Sequence, residues 1–374
     1  MVNYQIIDFS SDDAFARLAR LNMQAGLANL SLALEREGLS PQVSAIFWPE
    51  FSITRNRDRW AEGFAYGALI VWQPTDIPFV PLSVRPNGCG VLLAAVPEMS
   101  REEIFSLISS FQQSDFFSDP NVVLRPGDLS HSNHFLLFGK AAAFAGLTLI
   151  VAHTCPSVLK EPSASYSGLY LGTDSPLLRL SKKLEHNGVP FHYLVGQAAQ
   201  DYLETFARAE DICLSARVSL VERIVKKDIS VLLNDTHQGI RSHYVMLGCS
   251  EVKEYGLILG NDSDTSCRLI AGVPPLGQVL RVQQKKARVK EAEQLRICPH
   301  GLGITAADSR NLALNTDRLS PNLITFSANQ RDYVFSHTED IPRSYRSADV
   351  MERTTKLMQA QEAFNIEPVV TCKL

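Results

Sequence analysis

The sequence has no Cys-x-x-Cys pair, no apolar run near the ~20 residues that span a bilayer, and no surplus of basic residues. Its longest apolar runs, such as Leu147–Ala152 and Val91–Val96, are far too short to cross a membrane. The opening MVNYQIIDFSSDD lacks a basic stretch followed by an apolar core, so no secretory signal is expected. With 36 Lys and Arg against 40 Asp and Glu the formal charge is −4. Proteins that hold nucleic acid non-specifically carry a basic excess, so any nucleic-acid contact here must be local. Seven cysteines, an odd number, argue against a disulfide framework, and a reduced, cytoplasmic chain is the expectation. What is present is ordinary for a globular chain: 45% apolar and 20% charged residues exclude disorder and a fibrous repeat.

Within 374 residues, one large domain or two are expected, and no Pro/Gly/Ser-rich linker divides them. Apolar spacing predicts helices over Ser11–Glu37, after the capping pair Ser100 and Glu103, over Gln200–Lys226 and over Ser347–Phe364. Strand-like runs are numerous: Ala45–Trp48, Gly67–Trp72, Val91–Val96, His134–Phe138, Leu147–Ala152, Leu169–Gly172, Ile229–Leu233, Val245–Leu247, Leu257–Leu259, Gln278–Val282, Leu323–Phe326 and Pro368–Thr371. Strands and helices do not alternate regularly, so the class is α+β rather than a doubly wound sheet. The one dense basic run, QQKKARVK over Gln283–Lys290, reads either as a solvated face or as phosphate contacts.

Five residues stand beside apolar strand-like runs or glycines. His153 closes LTLIVAH, His134 opens HFLLF, His237 follows VLLNDT, Cys89 lies in PNGCGVLL and His300 in CPHGLG. Strand ends hold a side chain accessibly on a fixed backbone. Imidazoles with a thiolate suit Mn, Fe, Co or Zn, yet the wide spacings match no local zinc signature. A shared metal site and separately placed histidines therefore both remain open. In CPHGLG the glycines would let backbone N–H groups approach a phosphate, and a histidine there can attack phosphorus; an incidental His in a tight loop is the other reading. His131, His186, His192, His243 and His337 read as structural or surface residues.

These residues, in this order, resemble the tRNA-splicing ligase RtcB family from about Ala45 to Leu374. The resemblance implies an α+β fold with mixed sheets around a central metal site. On that basis the chain is one domain over 1–374, with 1–44 an N-terminal helical extension. It also implies Mn2+ or another divalent metal, GTP, and the joining of RNA 3′-phosphate or 2′,3′-cyclic phosphate ends to 5′-hydroxyl ends through a histidine–GMP intermediate. Pro86-Asn87-Gly88-Cys89-Gly90 is similar to the family's Asp-x-Gly-Cys-Gly, keeping the bridging cysteine. Ser132-Asn133-His134-Phe135 is similar to Gly-Asn-His-Phe, keeping the phosphate-contacting asparagine and a metal histidine. His153 stands for His-Ser-Gly-Ser-Arg, and His237-Gln238 for His-Asn. Pro299-His300-Gly301-Leu302-Gly303-Ile304 is similar to the nucleophile motif Ser-His-Gly-Ala-Gly-Arg. Ser344-Tyr345-Arg346-Ser347 keeps the base-stacking tyrosine, and Cys372-Lys373-Leu374 keeps a lysine that would touch the base. The implied metal ligands are thus Cys89, His134, His153 and His237, with one ion on Cys89, His153 and His237. The implied nucleophile is His300, and Asn133, His300, Tyr345 and Lys373 would meet the nucleotide.

The departures are as specific. Pro86 replaces the metal-binding aspartate, Leu137 the guanine-reading glutamate, and Ile304 the arginine of the nucleophile motif, although Ser309-Arg310 follows downstream. Asn261-Asp262-Ser263-Asp264 replaces Arg-Lys-Gly-Ala, and Pro49-Glu50-Phe51-Ser52 replaces Pro-Asp-x-His. Losing one preorganised phosphate donor commonly costs ~10²–10³ in rate. Three readings follow: a divergent ligase or nucleotidyltransferase, a degenerate protein that binds nucleotide or RNA ends, and a nucleotidyltransferase with another acceptor.

Overall fold

The computed structural model describes residues 2–119, 122–130, 134–163, 166–172, 175–260, 266–283, 288–306, 313–314, 324–328 and 331–373. Helices and several sheets are interleaved, so the chain is α+β.

Two sheets carry the architecture. The first has the spatial order Tyr4–Asp8, Val43–Ser52, Tyr66–Trp72, Tyr244–Leu247, Gln238–Ile240. Tyr4–Asp8 runs parallel to Val43–Ser52, and the other pairs are antiparallel. Val43–Ser52 is buried at almost every position, and Phe47 stacks on Phe51 with ring centroids 4.0 Å apart. The second sheet is antiparallel, in the order Ser230–Thr236, Gly90–Pro97, Leu147–Thr154, Phe135–Lys140, Glu362–Cys372, Cys267–Ala271, Tyr255–Ile258. Its central strands are continuous apolar runs because both faces are covered.

Two long helices supply much of that cover. Ala14–Arg36 starts at Asp13, whose carboxylate accepts from the Ala16 amide at 2.9 Å, and it stops before Gly38. Phe15, Leu18, Leu27, Leu30 and Leu34 face one core cluster with Phe47 and Trp72. Residues 4–36 are therefore part of the first sheet and its core rather than an appended helix. Gln197–Val225 buries Tyr202, Phe206, Ala209, Cys213, Leu220 and Ile224, a stripe at three- to four-residue spacing.

Three expected elements come out differently. Gln278–Val282 is not a strand but part of the helix Leu276–Val282, because Leu276, Val279 and Leu280 fall on one buried face just after Pro275. Leu169–Gly172 is a loop, held by Leu169 and Tyr170 amides donating to the Leu159 and Lys160 carbonyls. The last helix ends at Met358, where Gln359 turns left-handed (φ 50°), and Glu362–Cys372 is already a strand. Ser100 caps Arg101–Gln112 as its spacing suggests. Asn133, His131, Ser309, Arg310, Asn261–Asp264 and the middle of the basic run lie outside the described residues.

Candidate functional site

The strand register brings the sequence candidates to one end of the second sheet. His153 pairs with Val91 on one neighbour and Phe135 on the other, so Cys89 and His134, each just before its strand, sit beside it. His237 is the single residue between Thr236, the last of the second sheet, and Gln238, the first of the neighbouring sheet's strand. Its amide donates to the Cys89 carbonyl at 2.9 Å, and its carbonyl accepts from Gly248 at 2.7 Å. His300 follows the strand Ile297–Pro299, and its amide also reaches Gly248, at 3.1 Å. Residues scattered over the sequence thus meet where the two sheets touch.

The two glycines around Cys89 have a steric reason. Gly88 has φ 70°, and a methyl there would lie 2.8 Å from Cys213 Sγ. A methyl on Gly90 would overlap the Asp235 carbonyl. Behind this turn lies Arg217, wholly buried, donating to Asn234 Oδ1 at 2.8 Å and to the Gly88 and Thr154 carbonyls at 3.4 Å. One helix side chain therefore ties three strand ends together.

Cys89 Sγ lies 3.4 Å from His134 Nε2 and 3.5 Å from His153 Nε2, and His153 Nε2 lies 3.3 Å from His237 Nε2. Tetrahedral zinc with legs of about 2.0–2.3 Å requires donor separations of about 3.3–3.6 Å. The donors fall into two compact groups sharing His153: Cys89–His134–His153 and His153–His237–His300. This differs from the implied grouping of Cys89, His153 and His237, and it places His300 within ligand distance. These buried His and Cys groups could hold a metal ion. The donor set, imidazoles and a thiol, fits a borderline divalent ion. His134 is oriented by Nδ1, which donates to the Asp128 carbonyl at 2.8 Å and leaves the Nε2 lone pair toward Cys89. His237 Nδ1 has no hydrogen-bond partner among the described residues.

Burial dominates the electrostatics. It lowers His134 to about 4 and His300 to about 3, and it pushes His237 well below its ordinary value. All three imidazoles are neutral near pH 7, as a ligand or a phosphorus nucleophile must be. Cys89 shares a hydrogen bond with the Cys155 thiol, and this bond and burial raise Cys89 while Cys155 falls to about 7. A bound cation would reverse that order, since a coordinated thiol loses its proton. Glu50 is fully buried, and its carboxyl is raised well above the usual range by that burial.

A cavity of about 220 Å³ opens onto Cys89, His134 and His300. Tyr345 lines it, half-buried. Lys373 is exposed and does not line the cavity, but its charge reaches His134. Leu137 is only 1% exposed inside the second sheet's core and contributes no polar group. Ile304 lines the cavity wall.

Sequence reasoning missed Tyr66, Arg59, Cys155, Lys160 and Tyr170, all of which line the same cavity. They carry no motif and arrive only through long-range pairing. Tyr66 Oη lies 3.0 Å from His300 Nε2 and 3.2 Å from Nδ1, and its ring packs on Gly248. Tyr66 therefore positions His300. Tyr66→Phe is expected to lower any rate that depends on His300 by about 10–100-fold, the usual cost of losing an outer hydrogen bond to a site imidazole, with metal content unchanged. Equal rates for the two proteins would remove Tyr66 from this role.

Compared with known proteins, the chain is matched by no family model and by no curated protein. Among the described residues no helix is long and apolar enough to cross a membrane.

Proposed function

We propose that the protein is a metal-dependent nucleotidyltransferase of the RNA-ligase type, acting through His300. The observation that carries this reading is the convergence of Cys89, His134, His153, His237 and His300 in one cluster, of which Cys89, His134 and His300 open onto a cavity that Tyr345 also lines. Cys89, His134 and His153 would hold the divalent ion, Mn2+ or a related metal, with His237 beside His153. When bound, such an ion supplies Lewis-acid polarisation of phosphoryl oxygens.

The neutral His300 imidazole attacks the α-phosphorus of GTP. A nitrogen–phosphorus bond forms, the bond to the β-phosphate oxygen breaks, and pyrophosphate leaves with the electron pair. Tyr66 holds the ring during this displacement, and burial keeps it unprotonated. The nucleotidyl group then passes to a phosphate at an RNA 3′ end, regenerating His300, and a 5′-hydroxyl displaces GMP. Leu137 in place of a base-reading glutamate leaves the choice between GTP and ATP open to experiment.

The test is incubation with α-labelled GTP or ATP and Mn2+ or Zn2+, followed by denaturing gels. An acid-labile adduct present in the wild type and absent in His300→Ala supports the reading, and no adduct with either nucleotide sinks it. A second reading is favoured by His300 lying within ligand distance of His153 and His237. There His300 is a ligand, and the protein binds nucleotide or RNA ends without turnover. Stoichiometric metal and nucleotide binding without adduct would select it.

A further inference from the structure

The pairing between the strands Gly90–Pro97 and Leu147–Thr154 extends past their ends. Val91 faces His153 and Gly90 faces Thr154, and one further step sets Cys89 opposite Cys155. The Cys89 amide donates to Asn87 Oδ1 at 2.9 Å, and its carbonyl accepts from the His237 and Gln238 amides. The Cys89 amide is thus turned away from Cys155, as in a non-hydrogen-bonded antiparallel pair. Such pairs hold their Cα atoms about 4.5 Å apart, with both side chains on one face. A disulfide spans Cα separations of about 4.4–6.8 Å. The two thiols already share a hydrogen bond. Among the described residues no other two cysteines are opposed in this way. Cys298 stands opposite Ser250, one place from Cys249, so those two side chains fall on opposite faces of their ladder.

Both residues are buried, Cys89 3% and Cys155 1% exposed, yet both line the cavity of about 220 Å³. That space falls below the ~300 Å³ that begins to enclose a drug-sized ligand, but it admits a peroxide or a small thiol. Lys160 and Arg59 share the lining, which holds no Asp or Glu among the described residues. Nearby cations favour the thiolate, the form of cysteine that attacks an oxidant. Cys89 Sγ also lies 3.4 Å from His134 Nε2 and 3.5 Å from His153 Nε2, and it is the single thiol of that three-donor group. A sulfur bonded to Cys155 has no thiolate to give to a cation, so the group would be left with two imidazoles.

We propose that Cys89 and Cys155 are a disulfide-forming pair, a reversible modification site at which peroxide takes the thiolate donor away from the metal-ligating group. One sulfur attacks a peroxide oxygen, the O–O bond breaks, and a sulfenic acid and one water result. The other sulfur then attacks the sulfenic sulfur, the S–S bond forms, and a second water leaves. Two thiols are oxidised and one peroxide is reduced to two waters. A small thiol reverses the bond by exchange. The effect on the centre rests on the proposed metal binding, whereas the bond itself does not.

For the test, full-length Zn2+-loaded protein is treated with hydrogen peroxide, freed of excess oxidant and mapped by mass spectrometry without reduction. A peptide joining Cys89 to Cys155 is expected, lighter by the two thiol hydrogens. Zn2+ should be released and its affinity lowered by at least about 10–100-fold, the cost of losing even an outer group. Dithiothreitol should restore both thiols and Zn2+ binding. Cys155→Ala and Cys155→Ser should bind Zn2+ like the wild type before oxidation and lose it irreversibly afterwards, because Cys89 without a partner thiol proceeds past the sulfenic acid. Absence of the joined peptide, a link from Cys89 to Cys213 in its place, or Zn2+ recovery that survives both substitutions overturns the proposal. Full Zn2+ affinity in the linked protein overturns it equally. The His300 adduct is scored separately on reduced protein: a link without adduct keeps the disulfide and removes the transferase, and adduct without a link does the reverse.

Discussion

His153→Ala should lower divalent-cation affinity by more than about 100-fold and eliminate the proposed nucleotidyl adduct. Removing outer groups that orient a ligand already costs about 10–100-fold, and His153 is itself a donor. It belongs to both compact groups and is wholly buried, so no neighbouring ring can replace it without leaving one group incomplete. His134→Ala touches only the group with Cys89 and should lose less. Metal titration monitored by the thiolate absorption of a Co2+-loaded protein checks both, since that band reports Cys89 independently of turnover. Wild-type cobalt affinity in His153→Ala would show that the cluster does not act as one centre.

The chelated protein should lose stability as the pH falls below about 6.5. In the unfolded chain histidines titrate near 6.5, whereas burial holds His134 at about 4, His300 at about 3 and His237 well below normal. Across that interval the unfolded state takes up protons that the folded state does not, so stability rises with pH. Asp235, raised to about 6 by burial, and Glu50 titrate in the opposite sense and offset up to two of the three protons. The net slope keeps the sign set by the three rings but is shallower than they alone would give. Asp235→Asn removes one offset and should steepen it. Urea unfolding at several pH values measures the slope. A flat profile would contradict the burial of these rings, and a saturating cation should move the loss to lower pH because it binds only the folded centre.

How much could be read from the chain depended on how far apart the participating residues are. The stripe from Tyr202 to Ile224 is local, and a helix was legible from it within one residue at its end. Val279–Val282 is too short a run for periodicity to decide, and the position of Pro275 decides it instead. Leu169–Gly172 has the composition of a strand, but its amides are claimed by Leu159 and Lys160, and that claim carries Tyr170 to the cavity. At the centre, Cys89 and the four histidines were visible because each abuts a strand-like run or a glycine turn. Tyr66, Arg59 and Lys160 were not, since only the folded register brings them there. Their neighbours in sequence give no hint of a shared wall.

The position of His237 has a mechanical consequence. Its backbone is the short bridge by which the chain leaves one sheet and enters the other, while its ring faces His153 in the first and His300 beyond the second. An ion gripped there would act as a rivet through both layers. Loading it should fuse their melting into a single event and shield the bridge from proteases, and stripping it should let the layers loosen one after the other.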